Sequence, residues 1–161
     1  MRTGAIAEKI RVAIIGTVAR SGYIYGPIVK GLPEDTDVDL VAVWSHRAEP
    51  AGALGARLGV PWDTDLDRLT RETVPAIGIV SVASAANGVV GLMAVEHGLH
   101  ALLETPIAHR LDEADAIIAA ASQRGETFDA CKYAMDTLKA NAPIWKKEVF
   151  ADSEVWVGLQ N

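Results

Sequence analysis

A single cysteine, Cys131, stands in 161 residues, so the chain cannot close an internal disulfide or build a thiolate cage around a metal. Its four histidines, His46, His97, His100 and His109, offer no spacing that sets two on one helix face beside a third ligand, and no structural metal is expected. No apolar run of about 18 residues is present, which argues against a membrane span. Basic residues are outnumbered, 15 Lys plus Arg against 21 Asp plus Glu, giving a net charge of -6. That balance, without a basic stripe or a recognised motif, argues against nucleic acid or an anionic membrane as a partner. The first residues, MRTGAIAEKI, lack the apolar core of a signal peptide, and a cytoplasmic protein is expected. Ser81, Ser84 and Asp63 make no recognisable nucleophile elbow. Internal repeats and low-complexity segments are also missing.

What is present is an ordinary globular balance, half apolar and 22% charged, at a length that favours one domain. IRVAII, residues 10 to 15, is a β-branched run that stops at Gly16, as a buried parallel strand does. The turn GTVARSG then leads to YIYGPIVKGL, a short helical stretch ending near Gly31 and Pro33. DLVAVW (39 to 44) predicts a second strand, AGALGARLG (51 to 59) a helix, and DLDRLTRE (65 to 72) another. AIGIVSVA (76 to 83), NGVVGLMAVEHG (87 to 98) and HALLE (100 to 104) repeat the order strand, helix, strand. Connections too long for hairpins imply a parallel sheet covered on both faces, a doubly wound, Rossmann-type α/β fold. Beyond Pro106, Asp112 is expected to cap a helix that places Ala114, Ile117, Ile118 and Ala121 on one stripe. A second stripe, Phe128, Cys131, Met135 and Leu138, runs until Pro143, and EVFADSEVWVG reads as a strand-like tail.

In such a sheet ligands bind beyond the C-terminal ends of the strands, and the first strand-turn-helix holds the pyrophosphate of a dinucleotide. Gly16 supplies the tight turn there, followed by Thr17 and Val18. Val18 stands where a second glycine would let backbone approach phosphate, and Ser21 or Gly22 must serve as the third position. At the end of strand two the usual ribose-binding carboxylate is missing. Ser45, His46 and Arg47 follow Trp44 instead, and Ser45 with Arg47 suits a 2'-phosphate, favouring NADP over NAD.

IRVAIIGTVARSGYIYGPI and IVSVASAANGVVGLMAVEHGLHALLETPIA together resemble the nucleotide-binding domain of the Gfo/Idh/MocA oxidoreductases, over about residues 9 to 122. LLETPIA stands where that family has a Glu-Lys-Pro motif whose lysine serves near the nicotinamide and substrate. Glu104 and Pro106 match, whereas Thr105 replaces the lysine and offers a hydroxyl in place of an ammonium. The resemblance implies a dinucleotide cofactor and a small-molecule substrate, with a homo-oligomer left open. Family members continue into a large C-terminal domain, and this chain is expected to fall short of a complete dehydrogenase.

Residues 124 to 158, RGETFDACKYAMDTLKANAPIWKKEVFADSEVWVG, are similar instead to the C-terminal part of the catalytic subunit of molybdopterin synthase. That resemblance places a site arginine at Arg124 and the two active-site lysines at Lys139 and Lys146. It implies sulfur transfer from a thiocarboxylated small subunit to a pterin phosphate, where lysines supply positive charge and a nucleophile or base. Two segments are thus expected, 1–122 of Rossmann type and 123–161 as a helix-strand tail. A non-catalytic binding or scaffold domain is the third reading.

Overall fold

The computed structural model describes residues 9–122 and the backbone of two strands, 145–149 and 154–158. The chain divides into two compact units, Met1–Gln123 and Arg124–Asn161.

In the first unit, β1 (Ile10–Ile15) is followed by a π-helical turn (Ser21–Tyr25) that runs into α1 (Gly26–Lys30). Then come β2 (Val38–Trp44), α2 (Ala48–Leu58), β3 (Trp62–Asp63), α3 (Leu66–Thr73) and β4 (Ile77–Val80). A 3-10 turn (Ser84–Ala86) opens α4 (Asn87–Glu96), and β5 (His100–Leu103) and α5 (Leu111–Ser122) complete the unit. The five strands pair in parallel in the order β3-β2-β1-β4-β5. This is the doubly wound Rossmann-type sheet expected from the alternation of strands and helices, with its first strand at the centre.

Period-two alternation divides the core between two faces. Val12 and Ile14 of β1 join Leu40, Val43, Leu54, Leu58 and Ile79, with Tyr25 and Val29 packed against them. Ala13 and Ile15 join Trp44, Leu66, Leu69, Val80, Ala94 and Leu99 on the other side. The β1–β2 register slips between Val12↔Leu40 and Ala13↔Ala42, so Val41 is an extra residue in β2. That bulge lets Leu40 and Val43 share one face although they are three residues apart.

Several boundaries differ from the sequence reading. The helix after β1 is already wound at residue 19, so Ser21 and Gly22 lie inside it and are buried. α2 starts at Ala48, three residues earlier than predicted, and ends on Gly59 in the left-handed conformation. β3 was not predicted: two residues carry too little pattern, and the strand exists because Val43 and Ser45 donate to the Pro61 and Asp63 carbonyls. Asp112 does not stand before α5 as its cap. It lies in the first turn, where its carboxylate takes both Arg110 donors at 2.9 and 2.8 Å. Of the predicted stripe on α5, Ile117 is buried but Ile118 is 52% exposed.

In the second unit, the strand-like tail is two strands: β6 (Trp145–Val149) pairs antiparallel with β7 (Glu154–Gly158). The two form their own sheet, with Lys146 opposite Val157 and Lys147 opposite Trp156. The stripe Phe128, Cys131, Met135 and Leu138, and Lys139 with it, lie outside the described residues. Among the described residues no helix is long and apolar enough to cross a membrane.

Asp63 fastens β3 to α3. Its Oδ1 accepts from the Thr64 and Asp65 backbone N–H groups at 2.7 and 2.9 Å, and Arg68 grips both carboxylate oxygens. Arg68 first, then the Asp65 amide, lowers the Asp63 carboxyl from 3.8 to about 2. A carboxyl lowered in the folded state stabilises above its unfolded pKa, and that contribution fades as pH falls from near 4 toward 2. Asp63→Asn should therefore lower Tm at pH 7 by on the order of 2 °C, with the difference vanishing at pH 2. Thermal melts of both proteins at the two pH values check this; an equal deficit at pH 2 would refute the ionic origin.

Candidate functional site

At the C-terminal edge of the sheet the first turn is governed by Gly16. Its φ is +109°, and its N–H donates to the Trp44 carbonyl at 2.8 Å, ending β1 against β2. A Cβ at Gly16 would lie 2.2 Å from the Ser81 carbonyl oxygen and 2.6 Å from a Val82 methyl. The turn therefore crosses the end of β4 at a distance open to glycine alone. Five residues on, Ser21 is fully buried and donates its hydroxyl to that same Ser81 carbonyl at 3.1 Å. Ser21 thus occupies the third position of the glycine pattern, where a small residue lets the helix sit close on the sheet.

Two clefts open along this edge. One, about 370 Å³, is lined by Gly16, Thr17, Ser45, His46 and Arg47, with Trp44 and Val90 among its apolar walls. Thr17 and Ser45 face each other across it, hydroxyl to hydroxyl at 3.1 Å. Ser45 is buried, whereas Arg47 stands exposed at the head of α2 and makes no ion pair with the described residues. The other cleft, about 330 Å³, is lined by Ala19, Arg20, Ser81, Asn87, Glu104 and Thr105. Val18 and Val82 line both, so the two are halves of one crevice. Val18, where the pattern favours glycine, puts its side chain at the junction and is 36% exposed.

Glu104 and Pro106 are both engaged by neighbouring side chains. The Glu104 carboxylate receives Arg20 on one oxygen at 2.6 Å and the Tyr25 hydroxyl on the other. Arg20 and then Tyr25 hold its carboxyl below the usual range, so it is ionised at neutral pH. The reciprocal bond to Glu104 raises the Tyr25 phenol. Pro106 follows a cis peptide, and its carbonyl accepts from Asn87 Nδ2 at 2.8 Å; the Glu104 carbonyl accepts from the same nitrogen at 3.2 Å. Asn87 thus clamps the backbone on either side of Thr105. Asn87 and Ser81 are each 1% exposed, and Asn87 Oδ1 and Ser81 Oγ have no hydrogen-bond partner among the described residues.

Sequence reasoning missed Arg20, Tyr25, Ser81 and Asn87. Arg20 falls in the turn GTVARSG and Tyr25 in the short helical stretch after it, and the pattern singles out neither. Their cooperation depends on the π-helical turn between them, in which the Gly26 N–H donates back to the Ser21 carbonyl, five residues away. Residues five apart on an α-helix point about 140° away from each other, whereas a backbone bonded five residues back brings them onto one side. Of the two lysines of the sulfur-transfer reading, Lys146 lies on β6, a strand of the second unit.

The family model for Gfo/Idh/MocA, an oxidoreductase family with an NAD-binding Rossmann fold, matches residues 10–130. The chain belongs to this family. The crystal structure of KijD10, a 3-ketoreductase from Actinomadura kijaniata in complex with NADP and TDP-benzene, shares the fold with a TM-score of 0.63. The match has 22% identity and covers 73% of this chain and 35% of KijD10. The chain also has homologues among molybdopterin synthase catalytic subunits. That of Oryza sativa subsp. indica is 38% identical over 80 residues, 46% of this chain and 42% of the rice subunit. That of Arabidopsis thaliana is 31% identical over 137 residues, 80% of this chain and 67% of the Arabidopsis subunit. The chain thus spans less than half the rice subunit and about a third of KijD10.

Gly16 offers a direct check on this geometry. Gly16→Ala meets both an unfavourable φ and the Ser81 carbonyl, and should destabilise the protein by about 3 kcal/mol or more. Gly59→Ala, at φ +66° with nothing within 4 Å of the added carbon, should cost about 1 kcal/mol. Urea unfolding of the two variants ranks them, and equal losses would show that the approach to β4 is relaxed in solution.

Proposed function

We propose that this chain binds NADP(H) along the crevice, with the adenosine 2'-phosphate between Ser45 and Arg47 and the nicotinamide half in the cleft bordered by Ser81, Asn87 and Thr105. The observation that carries the reading is the end of β2. No carboxylate stands there to bind a ribose diol, and an unpaired guanidinium at the head of α2 stands beside two hydroxyls 3.1 Å apart. Gly16, Thr17 and Val18 form the turn beneath the pyrophosphate, at the N-terminal end of the helix that begins at residue 19. The residues present fit the group: the turn leaving β1 is tight, the outer cleft has apolar walls in Trp44, Val82 and Val90, and the inner cleft is bordered by polar side chains such as Asn87 and Thr105. The nicotinamide, when bound, supplies a hydride donor or acceptor for a small-molecule substrate. The chain's own part is to bind and orient. Thr105 hydrogen-bonds at the substrate end but has no ammonium with which to protonate an oxygen at neutral pH.

Titration with NADPH and NADH tests this. Saturable binding with NADPH favoured is expected, and Arg47→Ala should weaken NADPH about tenfold while leaving NADH nearly unchanged, since one charge-assisted contact is removed. Equal losses for both cofactors would refute the phosphate role, and no saturable binding would refute the reading.

Sulfur transfer in molybdenum-cofactor synthesis is the second reading, favoured by the 31% identity with the Arabidopsis catalytic subunit. Lys139 and Lys146 are its catalytic residues, acting with a thiocarboxylated small subunit. In an assay supplying that subunit and the pterin precursor, the Lys139→Ala, Lys146→Ala double variant should lose at least about 100-fold in rate. Transfer that survives in the double variant rejects their role.

A further inference from the structure

Arg20 and Glu104 come from opposite sides of β4. Arg20 belongs to the helix that follows β1, Glu104 follows β5, and β4 lies between those strands. Their 2.6 Å ion pair therefore bridges about 10 Å of sheet, two strand spacings, and passes over the C-terminal end of β4. There lies the cleft of about 330 Å³, with Ser81 and Asn87 in its wall and their Oγ and Oδ1 atoms buried behind its surface. The two partners are held unequally. Glu104 is 16% exposed and fixed by Tyr25 through its side chain and by Asn87 through its backbone. Arg20 is 55% exposed and held chiefly by Glu104, with the Tyr25 hydroxyl as a lesser partner. If the bridge opens, Arg20 is the member that moves.

We infer that Arg20 is a specificity-determining residue for the dinucleotide: its ion pair with Glu104 spans the inner cleft, so the nicotinamide half binds only as the guanidinium is displaced. The adenosine half meets Thr17, Ser45 and Arg47 in the outer cleft, which neither member of the pair lines. This rests on the dinucleotide reading above. Displacement costs the free energy of one partly exposed ion pair. Arg20 thus lowers the contribution of the nicotinamide half to affinity and leaves that of the adenosine half alone.

Calorimetric titration of the full chain with NADPH and with 2',5'-ADP, which carries only the adenosine half, separates the two. Arg20→Met and Arg20→Gln should each tighten NADPH about two- to fivefold and leave 2',5'-ADP unchanged, the latter also reporting that the variant is folded. An unmoved ratio of the two affinities in both variants overturns the inference and leaves the dinucleotide reading standing. Weaker NADPH binding in both overturns it too, because Arg20 would then be a contact of the bound cofactor. A wild-type chain that binds neither ligand removes the dinucleotide reading and this inference with it.

Discussion

The approach of Gly16 to the Ser81 carbonyl is the constraint from which the rest of the crevice follows. Because the turn leaving β1 passes over the end of β4 without a side chain, the following helix can settle onto the sheet and bury Ser21 against the same carbonyl. That contact fixes the rotation of the helix. Once Ser21 points inward, the residue before it is turned toward the sheet's edge, and the π-helical turn brings Tyr25 to the same side. Both then reach one carboxylate at the end of β5. A bulkier residue at Gly16 would lift the helix and dissolve this arrangement, although Arg20, Tyr25 and Glu104 lie away from the contact itself.

The two halves of the crevice differ in how their charge is disposed. In the outer half, Arg47 is unopposed by any described acidic partner, and hydroxyls rather than carboxylates face it, so the local field favours an anion. In the inner half, Arg20 and Glu104 neutralise one another, and Glu104 stays ionised because Arg20 and Tyr25 both stabilise its charge. That half offers paired charge, with two neutral dipoles buried behind its wall. On the proposed reading the phosphorylated adenosine meets the outer half and the nicotinamide the inner one. The chain's overall negative charge does not decide this, since the crevice is set by a few near neighbours.

The architecture was legible in the sequence because buried parallel strands announce themselves as short apolar runs alternating with helical stretches, and four of the five strands of the main sheet do so. β3 does not, being two residues whose pairing is made by backbone on β2. The outer half of the site was legible for the same reason: Gly16, Thr17, Ser45 and Arg47 lie at strand ends that the pattern locates. The inner half was not, because its main contacts join residues far apart in the chain, Ser21 with Ser81, Tyr25 with Glu104 and Arg20 with Glu104. Nor does a sequence show that a helix changes its winding for one turn, and an α-helical reading would have sent Arg20 and Tyr25 in different directions. The stripe on α5 failed on Ile118 because periodicity identifies an apolar face without showing how much of it finds a neighbour. In the tail, a run that reads as one strand contains parts of two, β6 and β7, which pair antiparallel.

Position 105 shows why such a frame tolerates chemical change. Asn87 donates to the carbonyls of Glu104 and Pro106, the residues on either side, and Glu104 is anchored again by its own side chain. No side-chain hydrogen bond of Thr105 takes part in holding this loop among the described contacts, so its backbone keeps its course whatever residue stands there. A lysine and a threonine at this place would present different groups to the same cleft from the same backbone. The substitution therefore changes what the cleft can do to a substrate oxygen without changing the shape of the loop that carries it. Cofactor binding and acid assistance are separable for this reason: the first is built from turns and strand ends, the second from one side chain that the frame does not need.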